Sequence, residues 1–266
     1  MIAASMTRAT PPATLYVIPG SHACRSAMLM LERKQIPYRR VDLHTGLHPL
    51  SVRLRGFPGH PQPIRSLDGH THTALAALDR MGTVPALHLG SERIQTNHEI
   101  ARFLDRIQPQ PALFPADQRA RAAVEEAERW GDEVLQMAAR RIALAAALRG
   151  CSALRSRGNE GRLGPLLATN EPMRVLASQV SARLAFRANP RSEPALLAEL
   201  GAMLDRIDAW IEEGLLNAET LNAADFMIAP SLALIAYRED LRAEVECRPA
   251  GALMERVLPE PEPGRG

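Results

Sequence analysis

The sequence predicts an α/β domain followed by an all-helical domain, and three observations carry that expectation. Residues 14–43 alternate strand, helix and strand. Pro109, Pro111 and Pro115 interrupt all periodicity. Beyond them the chain reads almost entirely as helix. The length of 266 residues fits about two domains, and a composition 46% hydrophobic and 23% charged is that of a globular chain rather than a disordered or fibrous one.

The elements follow in order. TLYVI (14–18) is a short apolar strand, PGSHA a turn and CRSAMLMLERKQ a helix with Ala27, Met28 and Leu31 on its apolar side. YRRVDL (38–43) is the second strand of one βαβ unit. Between His44 and Met81, eight Gly and Pro residues predict a loop with one short helix at Thr73 to Met81. GTVPALHLGSERIQ reads as a hairpin turning at Gly90 and Ser91. Asn97 is the expected cap of a helix to Ile107, whose apolar face is Ile100, Phe103, Leu104 and Ile107.

The domains are therefore drawn at 13–108 and 117–258, with 109–116 as linker and 259–266 as a disordered tail. Helices are expected over Asp117 to Leu148, Glu193 to Glu213 and Asn222 to Leu241, with the region from Gly150 to Pro190 left open. LNAADF opens the last helix with a capping box: Asn222 accepts from the first-turn amides, Asp225 reaches back, and Leu221 with Phe226 supplies the staple.

Composition excludes several function classes. The net charge is +2, from 32 basic and 30 acidic residues, so no strong field favours nucleic acid or a membrane surface. Lys34 is the only lysine, an arginine-for-lysine bias with no function read into it. Cys24, Cys151 and Cys247 are too few and too scattered for a disulfide framework and fit reduced thiols in the cytoplasm. The apolar run Ile142 to Leu148 is far short of the ~20 residues of a membrane span. His70-x-His72 lacks the further ligands of a metal site, so no metal is expected.

The order of these elements resembles the cytosolic glutathione S-transferase family, in which a thioredoxin-like domain precedes a helical one. Four stretches carry the likeness: LYVIPGSHACRSAMLMLERKQIPYRRVDL; GTVPAL, similar to the family segment with a cis proline; IQTNHEIARFLD with PALFPAD; and LNAADFMIAPSL. The resemblance implies a transferase that joins glutathione, or a related low-molecular-weight thiol, to an apolar electrophile, as a homodimer. It puts Ser21 at the position that stabilises the glutathione thiolate. Val84 and Pro85 would hold the cysteinyl moiety, and Thr96 and Asn97 the γ-glutamyl end.

At that site each residue has two readings. Ser21 is either a thiolate donor or simply the cap of the first helix. Cys24, three residues on, has the spacing of a CxxC site with Ser in the first position, so it is either a redox thiol or a buried, inert one. His22, where the family commonly has proline, is either a polarising group or an exposed first-turn residue. Thr96 supplies no carboxylate for the γ-glutamyl ammonium, and Gln95 only a neutral oxygen. Arg53, Arg55 and Arg65 lie where the glycine carboxylate would be met. Glu125, Glu126 and Glu128 read as a solvated face paired with Arg121 and Arg129, and Trp130 and Met137 as core or pocket. The competing functions are a Cys24-dependent thiol-disulfide oxidoreductase and a non-catalytic binding or scaffold protein.

Overall fold

A computed structural model describes residues 13–44, 46–59, 82–149, 162–163, 188, 191 and 193–260. Its sheet has strands β1 (Ala13–Val17), β2 (Tyr38–Asp42), β3 (Ala86–Leu89) and β4 (Glu92–Gln95) in the order β2-β1-β3-β4. β1 lies inside the sheet, with Ala13, Leu15 and Val17 buried and Thr14 only 8% exposed. It runs parallel to β2 with Leu15 opposite Arg40, a pairing that requires a crossover, and helix α1 (His22–Arg33) supplies it. β3 and β4 form the expected hairpin, turning at Gly90 with φ +62°. Cys24, Ala27 and Leu31 bury against Leu15 and Val17 in one core cluster.

The expected loop after β2 contains a helix, α2 (His48–Leu54). Proline counted there as a helix breaker, but Pro49 sits in the first turn, where a missing N–H costs nothing. Val52 and Phe57 pack with Leu43 and Ala86 beneath Tyr16. The helix expected at 73–81, His70 and His72, Arg65, Cys151 and the tail from 261 lie outside the described residues.

Helix α3 (Asn97–Ile107) begins one residue earlier than read from the sequence. Its cap is Thr96, at φ +67°, whose hydroxyl accepts from Glu99 N at 3.3 Å; Asn97 is the first helical residue. After Ile107 the chain is pinned by the sole lysine. Lys34, with no exposed surface, donates to Asp105 Oδ1 at 2.5 Å and to Gln108 O at 2.6 Å. Asp105 in turn accepts from Leu113 N and Phe114 N at 2.8 and 3.1 Å.

Helix α4 (Gln118–Trp130) runs through a π-helical turn, Gly131–Leu135, into α5 (Gln136–Arg149). α6 (Glu193–Glu212) follows, then α7 (Ala223–Ala236), every residue of which is buried. The capping box of α7 is present: Asn222 Oδ1 accepts from Ala224 N and Asp225 N, and Asp225 accepts from Asn222 N at 2.8 Å. Burial nevertheless pushes the Asp225 carboxyl up to about 6, against the backbone donors that hold it down. α7 ends at Ala236, short of the expected Leu241. Arg238 is extended (φ −79°, ψ 118°) and nearly buried, its guanidinium paired with Glu193 and Asp240. α8 (Glu239–Glu246) and α9 (Pro249–Val257) complete a helical layer around α7. Among the described residues no helix is long and apolar enough to cross a membrane.

Candidate functional site

The sheet register sets the site. Tyr16 lies opposite Ala86, and Ala86 opposite Gln95. The end of β1, the start of β3 and the end of β4 therefore share one edge of the sheet, which brings Ser21, Val84–Pro85 and Thr96–Asn97 to the same end. The Val84–Pro85 bond is cis, as the GTVPAL resemblance implies.

Ser21 is placed by local chemistry. Ile18-Pro19-Gly20-Ser21 forms a turn in which Ser21 N donates to Ile18 O at 3.2 Å and Gly20 takes φ +72°. Proline then glycine at the two central positions suits a type II turn. Ser21 caps α1, its Oγ accepting from Cys24 N at 3.3 Å. A hydroxyl has a second lone pair and a proton of its own, so the capping bond leaves Ser21 able to donate. The cap and donor roles are compatible.

Cys24 is 1% exposed. Burial pushes its thiol up, outweighing the hydrogen bonds of Ser21 and Ile18 and the charges of Arg140 and Arg40, all of which favour the thiolate. A redox thiol at a helix start needs the opposite balance. His22 is buried rather than exposed. Burial, then the Arg140 charge, hold its imidazole well below the usual range, opposed by a hydrogen bond with the Gln136 backbone, and Nε2 has no partner among the described residues. The first turn of α1 is thus covered by the helical domain, which the sequence could not show.

At the same end of the sheet the γ-glutamyl residues differ from expectation. Asn97 points inward: its Nδ2 donates to Ala23 O at 2.9 Å and its buried Oδ1 has no partner among the described residues. The side chain therefore fastens α3 to α1. Gln95 Oε1 accepts from Gly59 N, and Gln95 Nε2 donates to Thr83 O, both at 2.8 Å, so that neutral oxygen is occupied. Arg53 donates to Phe57 O and Pro58 O, and Arg55 to Ser51 O while lying over the Tyr16 ring. Both arginines brace their own segment.

Ser21 lines a cavity of about 160 Å3 on the β2 side of α1. Val17, Ile18, Met28 and Leu163 make its apolar wall. Arg25, Arg40 and Arg162 make its polar one, with Cys24 and Gly20 beside Ser21. None of these arginines carries a sequence signal, because the partners that converge on the cavity come from three separate segments. Arg140 is a fourth cation whose charge reaches the same helix start.

The residues read as a solvated face on α4 divide. Arg121 pairs with Glu125 at 2.9 Å, but Glu128 is buried and accepts from Arg102 at 2.9 Å, with His98 at 3.4 Å. Trp130 meets Trp210 edge-on at 5.2 Å beneath Arg206, away from the cavity lining, and Met137 is core. In the π-helical turn, burial pushes the Asp132 carboxyl up to about 6, opposed by the Arg140 charge.

A thioredoxin-like domain with a helical domain behind it is the class the fold and site define. No family model and no curated protein matches the sequence. Solved structures do match. A glutathione S-transferase of Ceriporiopsis subvermispora, crystallised in complex with glutathione, superposes with a TM-score of 0.61 at 16% identity, over 93% of this chain and 97% of that one. Glutathione transferase GSTFuA3 of Phanerochaete chrysosporium gives 0.58 at 16%, over 93% and 96%. Glutathione transferase F2 of Populus trichocarpa gives 0.56 at 14%, over 94% of each chain. The chain has the glutathione S-transferase fold.

Proposed function

We propose that the protein is a thiol transferase that joins glutathione, or a related low-molecular-weight thiol, to an electrophile with an apolar body. One observation carries the reading: Ser21 heads a helix, keeps a proton to donate, and forms part of the wall of a cavity ringed by guanidinium groups. A free thiol has a pKa of about 8.5, so only a few per cent is thiolate at neutral pH. The Ser21 hydroxyl and the charges of Arg40 and Arg140, which favour the thiolate form of neighbouring Cys24, would act in the same sense on a thiol bound beside Ser21, as would the first-turn amides of α1. The bound thiol gives its proton to solvent and its sulfur forms a bond to the electrophilic carbon. The leaving group departs with its electron pair, or an activated double bond is saturated. Val84 and Pro85 would hold the thiol's peptide backbone, with Thr96 at its far end.

The neutral γ-glutamyl end favours a thiol other than glutathione as a second reading, since Thr96 and Gln95 carry no charge and Asn97 faces inward. The redox alternative is disfavoured by the burial of Cys24. Calorimetry with millimolar glutathione, together with its conjugation to an aryl halide, tests the reading. Saturable binding and a rate above the uncatalysed one are expected. Absence of both would reject glutathione as the cosubstrate.

A further inference from the structure

The cavity beside Ser21 has a chemistry of its own. Its lining includes three arginines and no acidic residue among the described ones. Arg162, with a side chain 8% exposed, is fixed by bonds to Leu258 O and Glu255, and Glu260 lies 3.6 Å away. Arg40 uses only Nε, toward Asp42 Oδ1 at 2.6 Å, and Arg25 only Nη1, toward Glu32 at 3.1 Å. The remaining nitrogens of these two forks hydrogen-bond no other described residue. Both pairs are solvent-exposed, with side chains 43% and 52% exposed for Arg40–Asp42 and 28% and 45% for Arg25–Glu32. Exposed pairs of this kind contribute little to stability, so a ligand anion competes with them at little cost. The free Nη pair of Arg40 matches the two oxygens of a carboxylate. On the other side Val17, Ile18, Met28 and Leu163 offer an apolar surface. An apolar cavity of about 150 Å3 admits benzene, so 160 Å3 takes one ring with small substituents.

We propose that the electrophile is a small aromatic or olefinic carboxylate, its ring or double bond against Met28 and Leu163 and its carboxylate on Arg40 and Arg25. The proposal rests on the transferase reading, in which the thiolate sulfur lies at Ser21. For an aryl chloride the sulfur bonds to the chlorinated carbon and chloride leaves with the bonding pair. The thiol proton goes to solvent, and no oxidant or reductant is needed.

The test uses the full chain and an unreactive matched pair, 3,5-dinitrobenzoate and 3,5-dinitrobenzamide, which differ in charge. By calorimetry the benzoate should bind at least tenfold more tightly than the amide. Arg40→Gln, an exposed substitution, should remove most of that preference while moving the amide affinity less than twofold. Equal binding of the two, no binding of the benzoate, or a preference untouched by Arg40→Gln would overturn the proposal. The conjugation of glutathione to 4-chloro-3,5-dinitrobenzoate is followed separately. Selective benzoate binding without conjugation would leave the anion site standing and reject the transferase reading.

Discussion

Replacing Ser21 by Ala separates the two jobs of one hydroxyl. A hydrogen bond to a charged partner contributes about 1.5–3 kcal/mol. At 1.36 kcal/mol per pKa unit, its loss should raise the apparent pKa of the bound thiol by about 1–2 units. The rate well below the wild-type thiol pKa then falls about 10- to 100-fold. The sign is fixed by the chemistry: the deficit is full below the wild-type thiol pKa and disappears above that of the variant, where the thiolate forms unaided. The capping bond to Cys24 N, at 3.3 Å, is long, so its loss should cost about 1 kcal/mol of stability or less. The assay is kcat/KM for thiol conjugation across pH, with thermal unfolding alongside. Ser21→Thr, which keeps both the cap and the donor, should restore the profile. A rate lowered equally at every pH, with the pKa unmoved, would refute thiolate stabilisation and leave Ser21 as a cap. An unchanged rate would refute both the assignment and the placement of sulfur.

Three further outcomes follow from the packing. Cys24→Ala should retain conjugation within about threefold, and alkylation of the native protein should modify the exposed Cys247 while sparing Cys24, as read by peptide mass; rapid alkylation of Cys24 would contradict its burial. Lys34→Met removes a buried charge from Asp105 and a donor from Gln108 O, a loss of about 3–5 kcal/mol that should lower Tm by roughly 6–15 °C, and a fall under about 2 °C would show the staple to be dispensable. Asp132 has its folded pKa raised to about 6, so the protonated form stabilises the fold below the unfolded value near 4 and that contribution is lost as pH rises through about 6; Asp132→Asn should flatten this decline and raise stability at pH 7 by on the order of 1–2 kcal/mol, read by urea unfolding at several pH values.

How far the sequence reached depended on whether the information was local. The turn at Ser21, the hairpin at Gly90 and the box of Asn222 and Asp225 are written in adjacent residues, and each is present. The cis bond at Val84–Pro85 was legible through family resemblance alone, since proline by itself favours trans. Boundaries failed where a distant partner decided them. Pro49 opens a helix instead of forbidding one, and α7 stops because Arg238 turns inward to Glu193, 45 residues earlier in the chain.

The residue types at the site were legible in the sequence: a serine at a helix start, a cysteine three positions on, and neutral residues where an acid would hold an ammonium. Only the tertiary structure decided their states. Packing of the helical domain on α1 buries Cys24 and His22, and desolvation disfavours the charged form of each. Asn97 turns inward because Ala23 offers it a carbonyl. The convergence of Arg25, Arg40 and Arg162 on one cavity joins a helix, a strand and a segment more than a hundred residues away, a proximity that no spacing along the chain encodes.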